Sequence, residues 1–113
     1  MSLVLDSVAA VKDRERQINL SDGMSRIVLR RSSTHPVEYA ITLITRHDGR
    51  DHAVRTFDNA HDVEEHHEHR YIGIEKQPPS IVRGSVNEAM KRAETALLSH
   101  WRAYVDEWRQ TIR

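Results

Sequence analysis

TRHDGRDH, residues 45–52, decides how the first half of this 113-residue chain folds. Its Asp48-Gly49 pair lies between ITLIT and AVRTF. Asp-Gly between strand-like flanks is the strongest short-range hairpin signal, because a type I′ turn needs positive φ at both central residues. A two-residue loop there pairs Leu43 with Val54 and Ile41 with Thr56 on one face, and Ile44 with Ala53 and Ala40 with Phe57 on the other. NLSDGMSR, residues 19–26, repeats the signal at Asp22-Gly23 and pairs Ile18 with Ile27 and Arg16 with Leu29. SSTHPV joins the two hairpins, with Pro36 before a strand or at its first residue. Strands are therefore expected near 10–20, 25–31, 37–46 and 51–58, with HRYIGI as a fifth. EKQPPS is excluded from regular structure across Pro78-Pro79.

From Ser85 the period changes. Ser85-Val86-Asn87-Glu88 reads as a capping box, and Val86, Met90, Ala93, Leu97, Trp101, Tyr104, Trp108 and Ile112 recur at steps of three and four. That is one apolar stripe on one long helix. At about 1.5 Å per residue such a helix exceeds strands of ordinary length, so it is expected to overhang the sheet and to use Trp101 or Trp108 as the anchor of a homodimer. The expected architecture is a single α+β domain over 1–113: an antiparallel four- or five-stranded β-meander with a long C-terminal α-helix packed on one face.

Composition narrows the function. Seventeen basic and seventeen acidic residues balance, which argues against a partner held by net charge alone. The distribution is uneven: Asp58, Asp62, Glu64, Glu65, Glu68 and Glu75 crowd one segment in which Arg70 is the single cation. No cysteine is present, which excludes disulfides and thiolate metal sites and fits a cytoplasmic setting. No apolar run approaches a membrane span, and MSLVL lacks the charged region and cleavage pattern of a signal peptide.

The same acidic segment, HDVEEHHEHRY at 61–71, holds four of the eight histidines. Three readings are open. As a metal site, His67 and His69 project to one face of an extended strand while His66, Glu68 and Arg70 project to the other. The i, i+2 pair can then converge on a divalent ion, with His61 or Asp58 as a third ligand. As an acid/base site, two imidazoles and Arg70 supply the base, the acid and the phosphate grip that metal-free RNA cleavage needs. Phosphate binding would also need arginine from outside the segment, such as Arg46, Arg55 or Arg83. As a polar connection, the imidazoles cap backbone groups or bridge a dimer.

RTFDNAHDVEEHHEHRY resembles the signature of the TumE-like toxins of bacterial toxin–antitoxin modules. Phe57, Asp58 and Asn59 match that family's aromatic-Asp-Asn element. His66, His67, His69 and Arg70 match its histidine element, and His61 a less constant position. INLSDG and SVNEAMKRAETALLSHW resemble its first turn and closing helix. The spacer Asp62-Val63-Glu64-Glu65 departs from the Gly or Pro of many relatives. The resemblance implies a cytoplasmic bacterial protein encoded beside a helix-turn-helix antitoxin, with RNA as the expected target and His66, His67, His69 and Arg70 as the catalytic set. Two other functions stand beside it: a non-catalytic dimeric interaction module, and a small metal-binding protein.

Overall fold

A computed structural model describes residues 14–60 and 62–112. The strands β1 (Arg14–Asn19), β2 (Ser25–Arg31), β3 (Tyr39–His47), β4 (Arg50–Asp58) and β5 (Glu65–Ile72) follow one another as an antiparallel meander. Two short strands, β6 (Glu75–Lys76) and β7 (Ser80–Arg83), both pair with β5 on the side away from β4. A 25-residue helix, α1 (Val86–Gln110), closes the fold. Residues 10–13 of the expected first strand lie outside the described residues. The sheet has more strands than the sequence suggested. The prolines do interrupt it: Gln77, Pro78 and Pro79 belong to no strand, and β6 and β7 stand on either side of them.

The Asp48-Gly49 turn takes the expected form, with φ of 51° and 73°. The Asp22-Gly23 turn differs. Only Gly23 has positive φ, at 73°, and the Asp22 carboxylate accepts from the N–H groups of Met24 and Ser25. The chain reverses through an aspartate-capped turn of wider loop, yet Ile18 still faces Ile27 and Arg16 faces Leu29.

The second hairpin keeps the expected register only as far as Ile44 opposite Ala53. A bulge follows, so that Leu43 opposes Arg55, Ile41 opposes Phe57, Thr42 opposes Thr56 and Ala40 opposes Asp58. The physical reason is phase. Val54 and Phe57 are three residues apart and would occupy opposite faces of a regular strand, whereas both pack into one core. The bulge brings both to the helix side, with Leu43, and turns Thr56 and Asp58 to the other face.

The core joins Ile27, Leu29, Tyr39, Ile41, Leu43 and Val54 of the sheet to Ala89, Ala93, Leu97, Val105 and Trp108 of α1. Ala93, Leu97 and Trp108 were expected on the stripe; Ala89 and Val105 extend it. The Ser85 hydroxyl accepts from the N–H of Glu88, as a cap should. The helix does not leave Trp108 hanging. Its indole lies against His47 and His52 at the far end of the β3–β4 hairpin, its Nε1 donates to the Gly73 carbonyl at 2.9 Å, and it is 2% exposed. The expectation of Trp108 as an exposed dimer anchor is therefore corrected: hairpin and β5–β6 turn reach far enough to cover it. Trp101 is half-buried, with the Arg102 guanidinium over its ring. No helix among the described residues is long and apolar enough to cross a membrane.

Candidate metal centre

Alternation along β5 sends its histidines to opposite faces. His66 goes to the helix side. Its Nε2–H donates to the Gly84 carbonyl at 2.8 Å and its Nδ1 pairs with the Tyr39 hydroxyl at 2.8 Å, so both ring nitrogens are used. Gly84 directly precedes the Ser85 cap, so this imidazole ties β5 and β3 to the start of α1. Burial, then the charge of Asp58, raise the Tyr39 pKa well above its ordinary value. Glu68 and Arg70 share that face. Glu68 holds Arg55, whose guanidinium stacks 3.8 Å from the Tyr104 ring centre.

His67 and His69 go to the other face, where the bulge has placed Asp58. Asp58 opposes His67 directly, and Thr56 opposes His69. One nitrogen of each imidazole faces the Asp58 carboxylate: His67 Nδ1 lies 3.2 Å from Oδ1 and His69 Nε2 lies 4.0 Å from Oδ2. The other nitrogen of each is held by an acceptor. His67 Nε2 bonds Glu65 at 3.0 Å, and His69 Nδ1–H donates to the Gln77 carbonyl at 2.8 Å. Gln77 stands just before the proline break, where its carbonyl serves no strand. Glu65 is itself held by Arg83 at 3.0 Å. Asp58 and His67 are each 5% exposed.

The three candidate ligand atoms lie within 4.8 Å of one another. With side-chain adjustment such a group can close on one first-row ion with bonds of about 2.1 Å, and a donor set of two histidines and one carboxylate leaves coordination positions open. A bond from the outer nitrogen to a carboxylate or carbonyl fixes the tautomer of a ligating histidine, and both imidazoles have one.

The electrostatics of the pair are unequal. Burial pulls His67 down, but its bonds to Glu65 and Asp58 outweigh burial and raise its pKa above the ordinary histidine value. Burial holds His69 below that value despite the Gln77 bond, and the nearby Lys76 ammonium works in the same direction.

The expected residues thus separate into two groups. Asp58, His67 and His69 come together; His66 and Arg70 lie on the opposite face. Phe57 packs against the core, and Asn59 is a buried structural pin. Its Oδ1 accepts from the Tyr39 N–H, and its Nδ2 donates to the carbonyls of Val37 and Val63. His61 lies outside the described residues. Of the arginines considered as outside help, Arg83 neutralises Glu65 and Asp62, Arg55 neutralises Glu68 across the sheet, and Arg46 pairs with Asp51. Sequence reasoning missed Glu65 and Gln77 as supports of the imidazoles. For Glu65 the i, i+2 spacing to His67 on a strand was the available signal.

Residues 11–113 match a family described as a domain of unknown function, DUF7718. The chain belongs to the DUF7718 family. No curated protein and no solved structure matches it. The match takes in both hairpins, the Asp58–His67–His69 cluster and α1, so every element that builds this centre lies inside the DUF7718 domain.

Proposed function

We propose that this DUF7718 domain is a metal-dependent enzyme whose divalent first-row transition ion is held by Asp58, His67 and His69. One observation carries the reading. Each imidazole turns one nitrogen to the same buried carboxylate while its other nitrogen is bonded to an acceptor. Imidazoles that merely solvate a strand have no reason to be oriented twice over. Three protein ligands on the sheet face away from α1 fit a catalytic centre, since structural zinc sites are closed by four. An ion there supplies Lewis acidity and an acidified water at neutral pH. The chain's own residues do the rest: Glu65 and the Gln77 carbonyl fix the tautomers, Arg83 steadies Glu65, and Asn59 pins the chain just after Asp58. The likeness to TumE-like toxins supports the same place, because its aromatic-Asp-Asn and histidine elements are the segments that meet here.

Metal-free acid/base cleavage of RNA is the second reading. The observation that favours it is the opposed electrostatics of two imidazoles whose ring centres are 6.0 Å apart, one pushed toward the acid form and one toward the base. Calorimetric titration with Zn²⁺ and Mn²⁺ separates the two. The metal reading expects binding of one ion per chain that falls at least a hundredfold in His69→Ala and stays unchanged in His100→Ala on the exposed face of α1. Equal affinity in parent and His69→Ala overturns it. RNA cleavage that survives chelator and is lost in His69→Ala establishes the metal-free reading in its place.

A further inference from the structure

Arg70 lies on the face of the sheet that carries α1, and the metal centre does not use it. It is exposed and makes no hydrogen bond or ion pair among the described residues. Directly across from it on β4 stands Arg55. Cross-strand partners share a face with Cβ atoms about 5 Å apart, and like charges so placed repel. One carboxylate offsets them. Glu68, on the same face of β5, accepts from Nη1 of Arg55, while the Tyr104 ring of α1 stacks on the flat side of that guanidinium. Arg55 is therefore held twice, and the charge of Arg70 beside it is left over. Glu107 of α1 lines a gap of about 20 Å³ next to both arginines and forms an ion pair with neither among the described residues.

Both arginines also line one cavity of about 350 Å³, the size of a small-ligand site. Ser80 lines it too, and opposes Glu68 in the β5–β7 ladder, which puts its hydroxyl on the same face. The N–H of Gln77 donates to the Arg70 carbonyl at 2.9 Å, and this brings Pro78 alongside. Pro78 and the exposed Ile72 make an apolar wall. Three donor groups from three strands thus meet at one cavity: two guanidinium groups and a hydroxyl. A carboxylate or a phosphodiester offers two terminal oxygens and one negative charge. A phosphomonoester offers three oxygens and close to two charges, which matches the three donors and the facing arginines.

We propose that Arg55, Arg70 and Ser80 bind the phosphate of a phosphomonoester whose organic group lies against Ile72 and Pro78. The site is separate from Asp58, His67 and His69, which project from the opposite face of the sheet, and it needs no ion there.

Methyl phosphate, phenyl phosphate and dimethyl phosphate are the probes. They are titrated by calorimetry into the full chain with chelator present, so that phosphate held by an ion at Asp58 does not register. Amide shifts of Arg70, Ile72 and Ser80 report the place. Methyl phosphate is expected to bind about tenfold tighter than dimethyl phosphate, and phenyl phosphate about threefold tighter again. Arg70→Gln is expected to lower phenyl phosphate affinity about tenfold, while Arg102→Gln, a change on α1 outside this cavity, leaves it unchanged. Arg70 is exposed and unpaired, so its replacement leaves the fold intact; Arg55→Gln, which gives up the bond to Glu68, is the secondary variant. Equal affinity in parent and Arg70→Gln overturns the proposal. So does an equal loss in Arg102→Gln, which would show attraction to the basic surface at large. Dimethyl phosphate as tight as methyl phosphate overturns the assignment to a monoester and points to a nucleic-acid backbone instead. Phenyl phosphate no tighter than methyl phosphate overturns the place given to the organic group. No shift at Arg70, Ile72 and Ser80 with any probe overturns the site itself.

Discussion

The two faces of the sheet use the same strands for different ends. On the helix side, β5 presents His66, and both of its nitrogens are spent on tying Tyr39 and Gly84 together. On the side away from α1 the next residue, His67, and then His69 are turned toward a carboxylate. Identical side chains one and three positions apart thus become a structural clamp and a pair of candidate ligands. Residue type does not decide which. The partner delivered across the strand does, and the bulge at Val54 decides which partners β4 delivers.

The comparison breaks most easily on packing. Leu97 is fully buried between α1 and the sheet. Leu97→Ala is expected to cost about 3 kcal/mol, as a large-to-small change in a closed core does. Thr42→Ala, on the face away from α1, deletes a half-buried hydroxyl that accepts from Thr56 at 3.3 Å and is expected to cost only about 1 kcal/mol. Urea unfolding measures both, and equal losses would mean that the face away from α1 is packed as tightly as the one beneath it.

A smaller effect sharpens the division among the histidines. His66→Ala leaves the Gly84 carbonyl and the Tyr39 hydroxyl without their partner, and is expected to cost about 2 kcal/mol. Zinc affinity of the folded variant should match the parent. A loss of zinc affinity without a loss of stability would place His66 in the centre and dissolve the distinction between faces.

The smallest effect concerns pH. His67 has a raised pKa in the fold, so its contribution to stability is complete below the ordinary value near 6.5 and is lost as pH rises through its folded value. His69 is lowered, so the folded chain binds its proton less well than the unfolded one, and stability falls as pH drops below about 6.5. The two slopes oppose, and the pair's contribution to metal-free stability should peak near the ordinary histidine value. Imidazole resonances followed through a pH titration should show His67 keeping its proton to higher pH than His69. The reverse order would remove the asymmetry of the pair.

Much of the fold was legible because it rests on local chemistry. Asp48-Gly49 needs no distant partner to take positive φ at both residues, and Ser85 caps its own helix through the N–H of Glu88. Alternation was legible too: His67 and His69 had to leave β5 on the side opposite His66, and Asp58 was a candidate third ligand from its proximity in sequence. The bulge was not legible, because Val54 and Phe57 show their conflict of phase only once both must meet the same helix. Nor were β6 and β7, which are too short to carry a periodic signal and exist as partners of β5.

The sequence by itself determined the Asp48-Gly49 turn, the helix with its cap, and which histidines share a face, since each depends on neighbours along the chain. Tertiary structure alone decided that Trp108 is covered by its own hairpin, that Asp58 stands opposite His67, and that Glu65 and the Gln77 carbonyl orient the two imidazoles. Those are decisions of register and closure. They depend on which strands lie side by side, and a shift of one residue reverses every side chain from one face to the other.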